Sequence, residues 1–358
     1  MKIIRRSLLG LFTALILIWL ATILALQFEH HEYTPVSQEQ RDQASHYLAN
    51  KITPIPSDWQ WESFEAEPGV ILRTGILDVA NAKGTVVFVP GFTGSIDMSM
   101  STITQLSQNG YRVAAIEYRG QGKSYRPLAH PEKGYVQDYQ LLANDLAKFA
   151  RHVKRNNEPL YFFSISKGAH LTMRMAAEFD VDASAYALVV PMIKINTGNT
   201  DYQWVERSAN ALNAIGLGKM YAPGQAQWPP LPLKFGEANE CNSNPDTAQL
   251  QSAMFALDES LRVRGTTVKW LIETIHSSHL LMSDGFMHAL TQPVKIFTAG
   301  DDRLVDTDAA QQFCSSLTQC EVQHYPDARH CINREDPERM HAIVDAAVTH
   351  FESANKRA

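Results

Sequence analysis

The sequence has few cysteines and no concentrated basic region. Four of its 358 residues are cysteine, and none has the Cys-x-x-Cys spacing of zinc or redox sites. It contains 32 basic and 38 acidic residues, so the formal net charge is -6, and no long basic run follows Arg6. A nucleic-acid partner is therefore not expected, because phosphate binding needs a concentrated positive face. The absence of heptads and internal repeats also excludes coiled coils and solenoids.

The composition is that of an ordinary globular protein. Apolar residues make up 45% of the chain and charged residues 20%, which is close to the average for soluble domains. Most of the chain can therefore form a packed core rather than remain disordered. The length allows one large domain or two of ordinary size.

The first 26 residues differ from the rest. Lys2, Arg5 and Arg6 precede Ser7–Leu26, a run of 20 residues without a charge. A helix of that length spans roughly 30 Å, the thickness of the hydrocarbon core of a bilayer. We therefore expect residues 1–27 to form an uncleaved anchor, with a transmembrane helix over residues 7–26. Its basic end should stay cytoplasmic, and everything after residue 27 should be exported, in a bacterium to the periplasm.

A cleaved signal peptide is the alternative for this segment, and it would give a secreted protein. The apolar run is longer than is usual for a signal peptide, and no small-x-small cleavage site follows it. The four cysteines all lie beyond the run, at positions 241, 314, 320 and 331. They permit two disulfides in three pairings. Cys314 and Cys320 are the easiest pair to join, and free buried cysteines are the alternative.

An alternation of strands and helices follows a predicted linker at residues 28–58, which has at most a short helix near 38–50. Apolar runs predict strands at 69–79, 85–89, 112–118, 160–163, 185–190, 294–298 and 320–325. Helical spacing predicts helices at 98–108, 136–155, 168–179, 306–317 and 337–353. Short apolar strands that alternate with helices indicate an α/β fold, with a mostly parallel sheet and helices on both faces.

One long stretch interrupts this alternation. Residues 192–285 contain no apolar strand of that kind, and we interpret them as a cap or lid insertion above the carboxyl edge of the sheet. The α/β core would then consist of two parts, residues 59–191 and residues 286–358.

The candidate nucleophile is Ser166, at the end of the strand that begins at residue 160. Ser164-Ile165-Ser166-Lys167-Gly168 is a small-x-Ser-x-Gly turn between a strand and a helix. A nucleophile on such a turn has a strained backbone, so the residues two before and two after it must be small. Ser166 meets this condition, whereas Ser164 as nucleophile would place Phe162 at the first of these positions.

An acid and a base follow two later strands. Asp302 comes after the strand at 294–298, with Asp301 and Asp306 as neighbouring candidates, and His330 comes after the strand at 320–325. The order serine, aspartate, histidine is that of an α/β-hydrolase triad. The histidine would take the serine proton, and the carboxylate would fix the histidine tautomer and stabilise the imidazolium.

The oxyanion hole needs two backbone N–H groups that point at the developing charge. The sequence predicts one from Lys167, directly after the nucleophile. The other is expected from Phe92, in the Pro-Gly-Phe-x-Gly stretch after the strand at 85–89.

Taken together, these motifs resemble the α/β-hydrolases. They occur in the order of that superfamily at Val89–Phe92, Glu117–Ser124, Ser164–Gly168, Val190–Met192, Gly300–Asp306 and Arg329–His330. The branch they most resemble contains the monoglyceride lipases and bacterial lysophospholipases, which share a serine-aminopeptidase-type hydrolase domain. The resemblance covers roughly residues 59–353. It implies Ser166, Asp302 and His330 as the triad and Phe92 and Lys167 as oxyanion donors. Ser164 and Pro90 replace the usual glycine and histidine of the branch.

The sequence thus predicts a membrane-anchored serine hydrolase that cleaves a lipid ester through an acyl-enzyme, without a cofactor or a metal. A lysophospholipid or a monoacylglycerol is the expected substrate, since an apolar insertion beside a bilayer suits an acyl chain. A general carboxylesterase and a serine peptidase are the enzymatic alternatives. A catalytically silent binding protein on the same fold is the alternative from another class. The sequence does not indicate an oligomeric state.

Overall fold

An eight-stranded sheet organises the part of the chain that the structure describes. The computed structural model describes residues 2–27, 29, 32–229, 236–287 and 289–356. The strands in this part are β1 (Gln60–Glu67), β2 (Val70–Leu77), β3 (Thr85–Val89), β4 (Arg112–Ile116), β5 (Leu160–Ile165), β6 (Ala185–Val189), β7 (Val294–Ala299) and β8 (Cys320–Tyr325). The α-helices are α1 (Lys2–Gln27), α2 (Gln38–Leu48), α3 (Met100–Gln108), α4 (Tyr139–Val153), α5 (Lys167–Glu178), α6 (Tyr202–Ala214), α7 (Leu250–Leu257), α8 (Val268–Leu281), α9 (Asp284–Met287), α10 (Thr307–Ser315), α11 (Ile332–Glu335) and α12 (Pro337–Asn355).

The sheet is mostly parallel, as the alternation of strands and helices predicts. Its strand order is β1-β2-β4-β3-β5-β6-β7-β8. Strand β2 pairs antiparallel with both β1 and β4, and the pairs from β4 through β3, β5, β6 and β7 to β8 are all parallel. The carboxyl ends of the parallel strands therefore meet at one edge, where ligands bind in open α/β sheets.

Two cores lie on opposite faces of this sheet. Successive side chains of a strand point to opposite faces, so in β3 Val87 and Val89 join one core while Val86 and Phe88 join the other. Helices α4, α5 and α10 pack on the first face, and α3 and α12 pack on the second. Burial on both faces explains why β3 and β6 are almost uniformly apolar.

All seven predicted strands have counterparts in the structure, but β1 was not predicted. Most residues of β1 are exposed, and it lies at the edge of the sheet, next to β2. An edge strand that faces solvent has little apolar alternation, and the sequence signal for a strand is correspondingly weak.

Helix α2 lies in the region predicted as a linker, and it packs on the long segment between β6 and β7. Ser37 and Gln40 form a capping box at its first turn. Its buried side chains Ala44, Tyr47 and Leu48 join a small core with residues of α7. We refer to residues 190–293 below as the β6–β7 segment.

The N-terminal apolar run forms helix α1. Its Trp19 side chain donates a hydrogen bond to the Ile215 carbonyl of the β6–β7 segment, at 2.8 Å. Within the described part of the chain, no helix has the combination of length and apolarity needed to cross a membrane. The prediction of a transmembrane anchor over residues 7–26, and of a single-pass protein, is therefore not supported.

Candidate active site

Ser166 lies on a tight turn between β5 and α5. Its backbone has φ +51° and ψ -114°, a conformation that residues with a side chain rarely adopt. A Cβ at Gly168 would come within 2.5 Å of the carbonyl oxygens of Val89 and Pro90, so only glycine fits two positions after the serine. The turn therefore has the small residue that the sequence argument requires.

Ser164 has a different environment from Ser166. Its side chain is fully buried inside β5, and its hydroxyl lies 2.7 Å from the hydroxyl of Thr172 on α5. It takes part in the packing of strand against helix. The hydroxyl that contacts His330 is that of Ser166.

Three predicted residues meet in one hydrogen-bonded chain. The Ser166 hydroxyl lies 2.8 Å from Nε2 of His330, and Nδ1 of the same ring lies 2.7 Å from Oδ2 of Asp302. A proton on Nδ1 that is donated to the carboxylate leaves Nε2 free to accept the serine proton. All three side chains are buried or nearly so, which strengthens the electrostatic interactions among them.

The backbone of its own loop orients the Asp302 carboxylate. Its Oδ1 accepts the N–H groups of Leu304 and Val305, each at 2.9 Å. These two hydrogen bonds to Oδ1 hold the side chain in place, and the other oxygen, Oδ2, faces His330.

The two neighbouring aspartates have other partners. Asp301 is exposed and binds the guanidinium groups of Arg303 and Arg329, which hold the pKa of its carboxyl below the ordinary value. Asp306 caps α10 through the Ala309 N–H, and it forms an ion pair with Lys194 at 2.8 Å. Of the three candidate acids, Asp302 is the one in contact with the histidine.

The two predicted oxyanion donors lie on loops that pack closely together. Gly91, just before Phe92, is so near the serine that an added Cβ would lie 3.2 Å from Cβ of Ser166. Lys167 begins α5, so its N–H belongs to the free N–H groups of a helix start. Within the described residues, neither the Phe92 nor the Lys167 N–H has an acceptor in the protein. Both groups are available to a negatively charged oxygen, as an oxyanion hole requires.

Comparison with known proteins identifies the family. Residues 80–337, more than half of the chain, match the family described as serine aminopeptidase, S33. The chain belongs to this family.

Relatives of this S33 hydrolase, and solved structures of other proteins that resemble it, agree with that assignment. Lysophospholipase L2 of Escherichia coli is 25% identical over 241 residues, which are 65% of this chain and 68% of the relative. A probable lysophospholipase L2 of Haemophilus influenzae is 20% identical over 244 residues, covering 68% and 75% of the two chains. A soluble variant of the monoglyceride lipase of Saccharomyces cerevisiae superposes with a TM-score of 0.67 at 18% identity, covering 84% of this chain and 96% of the lipase. A carboxyl esterase of Bacillus coagulans gives a TM-score of 0.65 at 15% identity, with coverage of 84% and 99%.

These findings confirm the resemblance seen in the sequence. The S33 hydrolase has the α/β-hydrolase fold and belongs to the branch that contains monoglyceride lipases and lysophospholipases. It is a serine ester hydrolase, as predicted.

Two glutamines that the sequence analysis did not single out hold the loop of Phe92 in the S33 hydrolase. Gln121 Oε1 accepts the Thr93 N–H at 2.7 Å, and Gln251 of α7 donates to the Thr93 carbonyl and hydroxyl at 2.7 and 2.6 Å. Thr93 has φ +64°, a strained conformation that these bonds stabilise. Because the Thr93 N–H is already bonded to Gln121, the neighbouring Phe92 N–H is the free donor of this loop.

A buried carboxylate ties the same loop to residues 119–124, which have the pattern Arg-Gly-x-Gly-x-Ser. Glu117 accepts the Ile96 N–H at 2.8 Å and the Lys123 N–H at 2.7 Å. Burial raises the pKa of Glu117 to about 7, against the opposing effect of Arg73. An added Cβ at Gly122 would overlap this carboxylate, which explains the glycine there.

The side chain of Lys167 occupies an aromatic cage beneath the site. Its amine lies 4.9 to 5.8 Å from the ring centres of Phe92, Tyr118, Tyr139 and Trp270, in the range of cation–π contacts. Within the described residues the amine has no hydrogen-bond partner, and burial lowers its pKa to about 7. The two residues predicted to supply the oxyanion donors are thus also in side-chain contact.

Two cavities open at this site of the S33 hydrolase. A small one of about 50 Å³ contains Ser166 and His330. A larger one of about 280 Å³ shares Met98, Asn333 and Arg334 with it. The larger cavity is also lined by methionine and leucine side chains: Met100, Leu250, Met254 and Met340. Among the described residues, no group of three or more histidine, cysteine or acidic side chains is placed to hold a metal ion.

Both cysteine pairs of the S33 hydrolase form disulfides. Cys314 pairs with Cys320, as the sequence favours, and Cys241 pairs with Cys331. The second pair lines the small cavity with the candidate triad. Sequence reasoning left this pairing open, since nothing in a spacing of 90 residues indicates that the two ends meet.

Proposed function

We propose that this S33 hydrolase cleaves the ester bond of lipids with a single acyl chain, lysophospholipids or monoacylglycerols. The observation that carries the proposal is the chain of hydrogen bonds from Asp302 through His330 to Ser166. Ser166 and His330 line a cavity that shares lining residues with a larger, partly apolar one. The relatives named as lysophospholipases and the neighbour named as a monoglyceride lipase favour a lipid among the possible esters.

In the proposed mechanism, His330 takes the proton of Ser166 as the serine oxygen attacks the ester carbonyl. The N–H groups of Phe92 and Lys167 stabilise the resulting oxyanion. The protonated His330 then donates its proton to the leaving alcohol, and an acyl-enzyme forms. Water attacks this acyl group with His330 as base, which releases the fatty acid and restores the serine. Asp302 keeps the imidazole in the required tautomer and stabilises its charged form.

Cleavage of peptides is less consistent with the site, although the family takes its name from an aminopeptidase. An aminopeptidase must hold the ammonium group of its substrate, which calls for a carboxylate near the nucleophile. None of the described residues that line the small cavity is acidic, and Arg334 contributes a positive charge there.

The test is a direct comparison of substrates with purified protein. A fluorophosphonate probe should label Ser166, since the probe reacts with activated serines. A set of monoacylglycerols, lysophospholipids, simple esters and aminoacyl amides with graded chains should then be hydrolysed with a preference for the acyl lipids. No labelling and no turnover of any ester would indicate a binding protein, and a preference for aminoacyl amides would indicate a peptidase.

We further propose that the catalytic part of the chain works in an oxidising compartment. The support is that all four cysteines are paired, and such bonds persist mainly in exported proteins. Trapping thiols with an alkylating agent in intact cells, followed by mass spectrometry, should find the four cysteines unmodified. Alkylation of Cys241 and Cys331 in that experiment would contradict the proposal.

A further inference from the structure

Arg334 is a positive charge in the wall of the candidate active site. It lies on α11, four residues after His330, and lines the small cavity together with Ser166. It also lines the larger cavity, so it stands where the two meet. One of its guanidinium nitrogens, Nη2, lies 2.9 Å from Sγ of Cys331, which is part of the same wall.

No carboxylate of the described residues forms an ion pair with Arg334. The adjacent acid, Glu335, is occupied elsewhere, because it binds the Arg339 guanidinium, the Ser243 hydroxyl and the Arg329 N–H. Burial lowers the pKa of Arg334 to about 10. The side chain is therefore still protonated near neutral pH, as a half-buried cation to which the described part of the chain supplies no counter-ion.

The other charges of the larger cavity do not compensate this cation. Asp97 forms an ion pair with Arg73, and Asp336 caps α12 with its carboxylate 3.8 Å from Arg339. Lys51 adds a second positive charge, whose described contact is with the ring of Tyr47 at 4.1 Å. Isolated charges in a protein wall are costly unless an opposite charge meets them. An anion that enters the cavity from outside would supply such an opposite charge.

We propose that Arg334 binds the phosphate group of a single-chain phospholipid while Ser166 attacks its ester bond. This inference rests on the proposed function and makes it more specific, since it assigns an anionic substrate in preference to a neutral glyceride. In a lysophospholipid only the glycerol unit separates the ester from the phosphate, so a cation in the same cavity as the nucleophile suits it. The planar fork of a guanidinium also fits two phosphate oxygens at once.

The first experiment measures kcat/KM for two octanoyl esters, lysophosphatidylglycerol and monoacylglycerol, in the full chain. The wild type should prefer the phospholipid. In Arg334→Gln the preference should fall by about ten- to a hundredfold, mainly through KM for the phospholipid, because a charge-assisted contact is lost. Arg334→Lys should retain part of the preference for the phospholipid, because it keeps the positive charge. The matched control is Arg151→Gln, an exposed arginine that contacts the Asp180 carbonyl and should leave the preference as it is.

A second experiment separates this inference from the proposed function. In a Ser166→Ala background, binding of an octyl ether of phosphoglycerol is compared with binding of octylglycerol by calorimetry, with and without Arg334→Gln. Weaker binding of the phosphate ligand alone supports the inference, even if the wild type hydrolyses neither ester, an outcome that would refute the proposed function. Equal effects on both ligands and both esters would overturn the inference and make Arg334 a structural residue, whatever the hydrolytic activity.

Discussion

A disulfide joins Cys331, the residue directly after His330, to Cys241 of the β6–β7 segment. The Cys331 N–H also donates to the Cys241 carbonyl at 2.6 Å. The loop that carries the candidate base is therefore covalently tied to the segment that forms part of the wall of the site. A displacement of Cys241 therefore moves the His330 loop, and a displacement of that loop moves Cys241.

Breaking this bond should reduce catalysis more than breaking the other disulfide. In Cys241→Ser the His330 loop loses its tether, and we expect kcat to fall by about ten- to a hundredfold, since small displacements of a catalytic group have effects of that size. The control is Cys314→Ser combined with Cys320→Ser, which removes a disulfide remote from the triad. Initial rates and circular dichroism spectra should be compared at a temperature where both variants are folded. Similar rates in the two variants would show that the tether does not position His330.

Ser166→Ala should abolish ester hydrolysis and fluorophosphonate labelling. The expected loss is about three or more powers of ten, with residual activity from binding and the oxyanion hole. Ser164→Ala is the matched control. It loses a buried hydrogen bond to Thr172, which costs about 1 kcal/mol of stability, but it should still be labelled. Labelling of Ser166→Ala would mean that another nucleophile acts.

Asp302→Asn should lower kcat by about 10⁴-fold, because an amide cannot hold His330 in the required tautomer. Asp301→Asn removes only exposed contacts with two arginines, and we expect a small effect on kcat. In Asp306→Asn the asparagine can still cap α10, but the ion pair with Lys194 is lost. We therefore expect lower stability and little change in kcat. Steady-state kinetics of the three variants give the ranking. A larger effect on kcat from Asp306→Asn would assign the acid role to that residue.

Lys167→Met should change how stability depends on pH. Burial lowers the pKa of this amine to about 7, while in the unfolded chain it is about 10.4. Between these values the unfolded state binds more protons, so this group raises wild-type stability as pH increases. Below pH 7 the buried positive charge of Lys167 lowers the free energy of unfolding of the wild type. This destabilisation disappears near pH 10. Burial also raises the pKa values of Tyr118 and Tyr139 and lowers that of His170 to about 3. These groups are present in both proteins, so their own pH dependence cancels when the variant is compared with the wild type.

The measurement for Lys167→Met is urea unfolding at pH 6 and pH 10. The free energy of unfolding, relative to the wild type, should be higher at pH 6 than at pH 10. Ile103→Val, in the other core of the sheet, is a control that removes no titratable group. If the free energies of unfolding of the variant and the wild type differ by the same amount at both pH values, the pKa of the Lys167 amine is not lowered by folding.

The sequence predicts most of this arrangement because its signals are local. Apolar runs identify the strands from β2 to β7, whose residues are mostly buried, and the small residues around Ser166 identify the turn. Asp302 and His330 follow from the rule that parallel strands end at one edge of a sheet. The unpredicted features depend on contacts between distant parts of the chain. Gln251 reaches Thr93, Cys241 meets Cys331, and Phe92 lies over the Lys167 amine only once the fold has formed.

The pairing of β6 with β7 has a consequence for how activity arises during folding. Tyr186 pairs with Val294, and Val189 with Phe297, across the whole β6–β7 segment. Ser166 precedes this junction in the chain, and Asp302 and His330 follow it. Contacts between residues so far apart in sequence form slowly. A chain in which each half has folded separately would contain every proposed catalytic residue and still be inactive. During refolding, the return of hydrolysis therefore reports the joining of the two halves.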